Sequence, residues 1–144
     1  LICFIVVNST THFMKYSAKY SQLVMPQDTN ILGTLFGGKM ISWMDIAAAK
    51  AAHRCLIDVS ADSIVTRAME TIEFQEAVEM GEWVNLESVV VSVGKTSFKI
   101  KVEAYAERIG GEKRLACSGI FTMVSVCKNE DGTFKSVAHG LNLS

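Results

Sequence analysis

Residues 37–56 read Gly37-Gly38-Lys39-Met40-Ile41-Ser42-Trp43-Met44-Asp45-Ile46-Ala47-Ala48-Ala49-Lys50-Ala51-Ala52-His53-Arg54-Cys55-Leu56, and this stretch decides the fold. After the opening glycine pair it holds no proline and no glycine, and it is rich in alanine and methionine, which predicts one long helix. At about 100° per residue, Lys39, Lys50, His53 and Arg54 fall within about 60° of one direction, with Ser42 at the edge. The opposite side carries Ile41, Met44, Ala48, Ala52 and Leu56, and Trp43 and Ile46 interrupt even the polar stripe. A helix this apolar around most of its circumference is expected to be wrapped by other structure. The small side chains of Ala47, Ala48, Ala49, Ala51 and Ala52 would let that structure approach closely.

Strands supply the wrapping. Residues 64–74, 82–93, 96–108 and 114–126 each read as a strand, and residues 16–25 hold another before the helix. The clearest is the third of the four. Thr96, Phe98, Ile100, Val102, Ala104 and Ala106 share one face, and Lys95, Ser97, Lys99, Lys101, Glu103, Tyr105 and Glu107 share the other. That alternation is the mark of a half-buried antiparallel strand. Gly81, Gly94-Lys95, Gly110-Gly111 and Asp131-Gly132 mark the turns. Between the first strand and the helix, Pro26, Asp28, Asn30, Gly33, Gly37 and Gly38 predict an irregular loop. The order of strand, loop, long helix and four strands is that of an α+β protein with one antiparallel sheet and one dominant helix.

On the helix wheel Asp45 lies at about 240° from Lys39, off the polar stripe. Aspartate is a poor residue for a helix interior. A carboxylate on a burying face costs free energy unless it is satisfied or protonated, so its presence points to function, with a solvated or hydrogen-bonded structural aspartate as the plainer reading. Glycines at the helix start leave the first-turn N–H groups approachable, where the helix dipole favours a developing oxyanion. The plainer reading of Gly37-Gly38 is a flexible lead-in to the helix.

The 144 residues suit one domain, with 49% hydrophobic and 20% charged residues and a formal net charge of −1. No basic face suggests a nucleic-acid partner. Leu1 to Val7 is apolar but too short to span a bilayer, and it lacks the features of a signal peptide; residues 1–14 are read as an extension outside the core. Cys3, Cys55, Cys117 and Cys127 fit neither a zinc site nor a disulfide framework, which predicts a reducing compartment, the cytoplasm, with no metal and no membrane association.

The stretch Met25-Pro26-Gln27-Asp28-Thr29-Asn30-Ile31-Leu32-Gly33-Thr34-Leu35-Phe36-Gly37-Gly38, followed by Trp43-Met44-Asp45-Ile46-Ala47-Ala48, resembles the signature of YciA-type acyl-CoA thioesterases and related cytosolic acyl-CoA hydrolases. Val65-Thr66, Phe74, Val78, Gly81-Glu82, Val93-Gly94-Lys95-Thr96-Ser97 and Phe121-Thr122-Met123-Val124 resemble further landmarks, so the likeness covers about residues 18–128. The resemblance implies the hot-dog fold, a curved antiparallel sheet around one long central helix. It implies a dimer, commonly assembled into a hexamer as a trimer of dimers, with sites at the subunit interface. It implies hydrolysis of acyl-CoA to a free acid and CoA without a cofactor, CoA being part of the substrate. Asp45 matches the catalytic carboxylate, Asn30 the asparagine that faces it from the other subunit, and Gly37 and Gly38 the glycines that polarise the thioester carbonyl. Lys95, Thr96 and Ser97 match the turn that contacts the phosphates of CoA. Lysine keeps the charge that arginine supplies in many relatives but lacks its two-pronged fork. Asn30 as a turn residue, and Lys95-Thr96-Ser97 as a hairpin turn, remain the plainer readings of those residues.

In the mechanism this implies, Asp45 is a general base on water or, second, the nucleophile. Two other activities fit the same fold. A hot-dog dehydratase or hydratase would use a histidine, of which the chain has His12, His53 and His139, with His53 on the polar stripe. A non-catalytic acyl-CoA-binding module would bind without releasing thiol. Chain-length preference is not legible in the sequence.

Overall fold

The computed structural model describes residues 15–142; the apolar stretch Leu1 to Val7, Cys3 and His12 lie outside them. The chain runs β1 (Ser17–Leu23), α1 (Gly37–His53), β2 (Ser63–Phe74), β3 (Trp83–Val93), β4 (Ser97–Glu107), β5 (Arg114–Lys128) and β6 (Phe134–Ser136). Short 3-10 turns at Pro26–Asp28 and Arg54–Ile57 flank the helix, so the helical run expected over 37–56 ends its α-helical part at His53. One antiparallel sheet has the order β1-β3-β4-β5-β2. The short β6, which the sequence reading did not contain, pairs with Val126, Cys127 and Lys128 at the end of β5, beyond the point where β4 begins at Ser97.

The alternation in β4 is realised: Phe98, Ile100, Val102, Ala104 and Ala106 are fully buried. They face the helix together with Val84, Leu86 and Val90 of β3 and Phe121 and Met123 of β5, forming one core. The helix buries Met40, Trp43, Met44, Ala47, Ala48, Ala51 and Ala52, the spacing of a single helical face. Four of these seven are alanines, which is why strands can cross the helix closely. Ser88 of β3 anchors the helix midway, its hydroxyl donating to the Ala47 carbonyl at 2.7 Å. The sheet curled around a central helix is the hot-dog arrangement.

The buried arc is rotated from the one the wheel suggested. Trp43, expected at the polar stripe, is only 4% exposed, whereas Ile46 is 46% exposed. The reason is that this chain's own sheet covers the helix from the Met40 and Ala47 side and leaves the far side open. Asp45 therefore lies at the margin of the buried arc, half-buried, instead of within it.

β2 is an edge strand and an irregular one. Its pairing with β5 slips between Thr66 and Ala68 and again between Glu70 and Glu73. At the second slip Thr71 has φ 51°, uncommon for a β-branched residue. Along this edge Val65, Met69 and Phe74 are exposed. A free strand edge carrying apolar side chains is a ready surface for pairing with another chain.

Candidate active site

Asp45 sits on the third turn of α1 and meets the edge strand. The Thr66 hydroxyl donates to Asp45 Oδ1 at 2.6 Å, a short contact typical of a charged acceptor. Among the described residues Oδ2 has no hydrogen-bond partner, so one oxygen is fixed and the other is free. Thr66 was noted in the sequence only within a landmark pair. Nothing local announces its role, because the contact joins positions 21 residues apart.

The helix start is open. Phe36 occupies the N-cap without a side-chain cap bond, and its carbonyl accepts from the N–H groups of Lys39 and Met40 at 2.9 and 3.1 Å. Among the described residues the N–H groups of Gly37 and Gly38 have no partner. These are the orphan donors that the first turn of any helix leaves, and they lie at the positive end of the dipole. A side chain would be crowded at Gly38 and would make ordinary contact at Gly37. A Cβ on Gly38 would stand 3.1 Å from the Phe36 ring, and one on Gly37 would stand 3.4 Å from the Phe74 ring. Beside them lies a cavity of about 270 Å³, walled on one part by Leu35, Met40, Phe74 and Val78 and on another by Thr34, Gln75 and Glu76.

The approach to the helix is held in shape from two sides. Asp28, 7% exposed, accepts from the Met25 N–H at 3.0 Å and pairs with Lys39 at 3.3 Å. Leu35 N–H donates to the Val78 carbonyl at 2.7 Å, and Thr34 bridges to Glu79. Residues 76–82 are in turn fixed by Glu82. Its buried carboxylate accepts from Arg114 at 2.7 and 2.8 Å and from the Glu79 N–H at 2.8 Å. Arg114 holds this carboxyl well below the ordinary range, at about 2.

Asn30 is not brought to Asp45 within the chain. Its side-chain oxygen accepts from the N–H groups of Leu32 and Thr34, and its amide donates to the Thr34 hydroxyl at 2.9 Å. One amide hydrogen is thereby used and a second remains. Lys95, exposed, leads into Thr96 and Ser97 on the turn between β3 and β4. The Ser97 hydroxyl lies over Gly94, where a Cβ would approach it to 2.5 Å.

Other chemistries find less support among the described residues. No group of three His, Cys, Asp or Glu is arranged to hold a metal ion. Cys55 and Cys117 are free and buried, and burial pushes their thiols up to about 12 and about 11, away from thiolate chemistry. His53 is exposed two helical turns from Asp45, its ring near the Ile64 carbonyl, and the buried His139 ring meets the Ser97 carbonyl and the Leu141 N–H, so neither hydrogen-bonds to Asp45. Among the described residues no helix is long and apolar enough to cross a membrane.

The pattern of the thioesterase superfamily matches residues 32–112. An uncharacterized acyl-CoA thioester hydrolase of Haemophilus influenzae is 33% identical over 111 residues, covering 74% of this chain and 70% of its own length. The acyl-CoA thioester hydrolase YciA of Escherichia coli is 32% identical over 108 residues, covering 72% of this chain and 79% of its own. Among solved structures, an apo-hexameric acyl-CoA thioesterase superposes with a TM-score of 0.73 at 30% identity, over 88% of this chain and 78% of the other.

Proposed function

The chain belongs to the thioesterase superfamily and is an acyl-CoA thioester hydrolase, and we propose that its active site is assembled between two copies, Asp45 of one facing the helix start of the other. The supporting observation is a distance. Asp45 lies seven to eight residues beyond Gly37 and Gly38, which at 1.5 Å per residue is roughly 10–12 Å along one helix axis. A base, its water and a thioester carbonyl reach that far only when fully extended in line, so one helix pairs its own carboxylate and oxyanion donors poorly. A second copy, joined along the exposed edge of β2, can bring its own helix start to Asp45. It can likewise bring the free amide hydrogen of its Asn30.

In this site the thioester oxygen accepts from the Gly37 and Gly38 N–H groups of one copy. The free Oδ2 of Asp45 in the other takes a proton from water, whose oxygen attacks the carbonyl carbon. Collapse of the tetrahedral intermediate breaks the C–S bond, and the proton passes from Asp45 to the leaving CoA sulfur. Thr66 fixes Oδ1 and thereby aims Oδ2. The cavity walled by Leu35, Met40, Phe74 and Val78 receives the acyl chain, and Lys95, Thr96 and Ser97 meet the CoA phosphates. No cofactor or metal enters the cycle. The hexameric relative makes a trimer of dimers the assembly to look for. The reduced thiols of Cys55 and Cys117 suit a cytoplasmic setting.

Thiol release measured across acyl-CoA chain lengths tests this reading. Thr66→Val is expected to lower kcat by roughly 10- to 100-fold, the worth of a hydrogen bond to a charged group, about 1.5–3 kcal/mol. An undiminished kcat would remove Thr66 from the mechanism. Turnover is expected to survive EDTA, and its loss there would contradict a metal-free cycle. Binding of acyl-CoA with no thiol released at any chain length would point instead to a binding module.

A further inference from the structure

The family pattern ends at residue 112, yet the chain continues into β6 and a strap over residues 137–141 that returns to the turn between β3 and β4. Three contacts fasten the strap there. The His139 N–H donates to the Lys95 carbonyl at 3.1 Å. The Ser125 hydroxyl donates to the Val137 carbonyl at 2.7 Å and lies 3.1 Å from the Thr96 carbonyl, which accepts from the Ser125 N–H at 2.8 Å. The His139 ring reaches the Ser97 carbonyl, with Nε2 at 3.3 Å. His139 is 3% exposed and lies on the Phe98 ring at 4.4 Å between centroids.

The ring's two nitrogens are used in opposite senses. Leu141 N–H donates to Nδ1 at 2.9 Å, which makes Nδ1 an acceptor. The proton is therefore assigned to Nε2, which donates to Ser97. The neutral imidazole thus joins the strap to the turn through both sides, and the carbonyls of Lys95, Thr96 and Ser97 are all tied down. A buried histidine used in this way costs desolvation, which its two bonds offset, and the mechanism at Asp45 makes no use of it.

We propose that His139 is a positioning residue for the CoA end of the substrate, holding Lys95-Thr96-Ser97 in the one turn shape that presents the lysine ammonium and the two hydroxyls to the phosphates. This rests on the reading of that turn as the phosphate contact. The Gly94 N–H on the Ser97 carbonyl at 2.9 Å and the Ser125 N–H on the Thr96 carbonyl at 2.8 Å close the turn, and the strap's bonds to Lys95 and Ser97 remove further freedom whose ordering on binding would weaken the affinity. The strap meets that ordering cost during folding.

The test compares two substrates on three variants. One substrate is an acyl-CoA; the other is the same acyl group on N-acetylcysteamine, which keeps the thioester and lacks the phosphates. His139→Ala is expected to raise KM for acyl-CoA about 5- to 10-fold, the worth of one to two hydrogen bonds, while kcat and every constant for the short thioester stay near wild type. His139→Phe keeps a ring against Phe98 and removes both nitrogens, so it guards against simple loss of packing and is expected to show the same split. Lys95→Ala is run in parallel. If Lys95→Ala raises KM for acyl-CoA and both His139 variants leave it unmoved, the role of His139 is overturned and the phosphate reading stands. If Lys95→Ala leaves KM unmoved, the phosphate reading fails and this inference falls with it. Equal losses on both substrates in both His139 variants would mean a general structural role and would also overturn the proposal.

Discussion

Asp45→Ala leaves a folded protein whose kcat for acyl-CoA hydrolysis has fallen by about 10²–10⁴-fold, the usual contribution of a positioned general base. The fold survives because little depends on this side chain. Asp45 is half-buried, its one side-chain partner among the described residues is Thr66, and the exposed position of Thr66 lets water replace the lost acceptor. What disappears is the proton acceptor; the oxyanion donors of the helix start remain and account for the residual rate. Asp45→Asn keeps the shape and the Thr66 contact but cannot take a proton, and it is expected to fall as far as alanine. The check is thiol release under saturating substrate beside far-ultraviolet circular dichroism. An alanine variant that turns over at the wild-type rate would remove Asp45 from the chemistry.

Arg114→Ala acts on stability. Glu82 is 1% exposed, and Arg114 supplies two of the three hydrogen bonds its carboxylate accepts at close range. Arg108 Nε lies 3.5 Å away and compensates only in part. Removing one partner of a buried pair leaves an uncompensated charge, which typically costs about 3–5 kcal/mol. Urea unfolding of the variant should show a loss of that order, and a change under 1 kcal/mol would mean that the pair is solvated. The pH dependence follows from the same contact. The Glu82 carboxyl is held at about 2 in the fold against an ordinary 4.5, chiefly by the Arg114 hydrogen bonds. A depressed carboxyl stabilises the fold above its unfolded value and loses that contribution as pH falls. The wild type should therefore shed about 3 kcal/mol between pH 4.5 and pH 2 from this group, and the variant much less. Because Glu82 also fixes residues 76–82 behind Thr34 and Leu35, Arg114→Ala is expected to loosen the approach to the helix start as well.

The helix, the five longer strands and their succession along the chain were legible from periodicity, composition and turn residues, though not their order in the sheet. β4 alternates along its whole length, and α1 combines alanine richness with the absence of internal glycine and proline. β6 was not legible: three exposed residues, Phe134 to Ser136, hold no pattern and exist as a strand only because β5 outruns β4. Asp45 stood out as a carboxylate off the polar stripe, but the wheel placed it within the buried arc. Which part of a mostly apolar helix the sheet covers depends on strand order, which periodicity does not encode. Thr66, His139 and the pair of Glu82 and Arg114 were missed as partners for the same reason. Each contact joins positions 21 to 42 residues apart, and register across the sheet sets them. Asn30 shows the converse, a residue singled out by resemblance whose bonds within one chain are those of an ordinary turn.

The shared site is tested most directly by mixing two variants, each lacking one of the two side chains that the site would take from different copies. Asp45→Ala and Asn30→Ala are unfolded together in equal amounts and refolded, and thiol release is compared with each variant refolded alone. If a site takes its carboxylate from one copy and its amide from the other, random pairing gives half mixed dimers, each with one intact site, and about a quarter of wild-type activity returns. Activity no higher than that of the separate variants, with mixed dimers present, would contradict a site built from two chains.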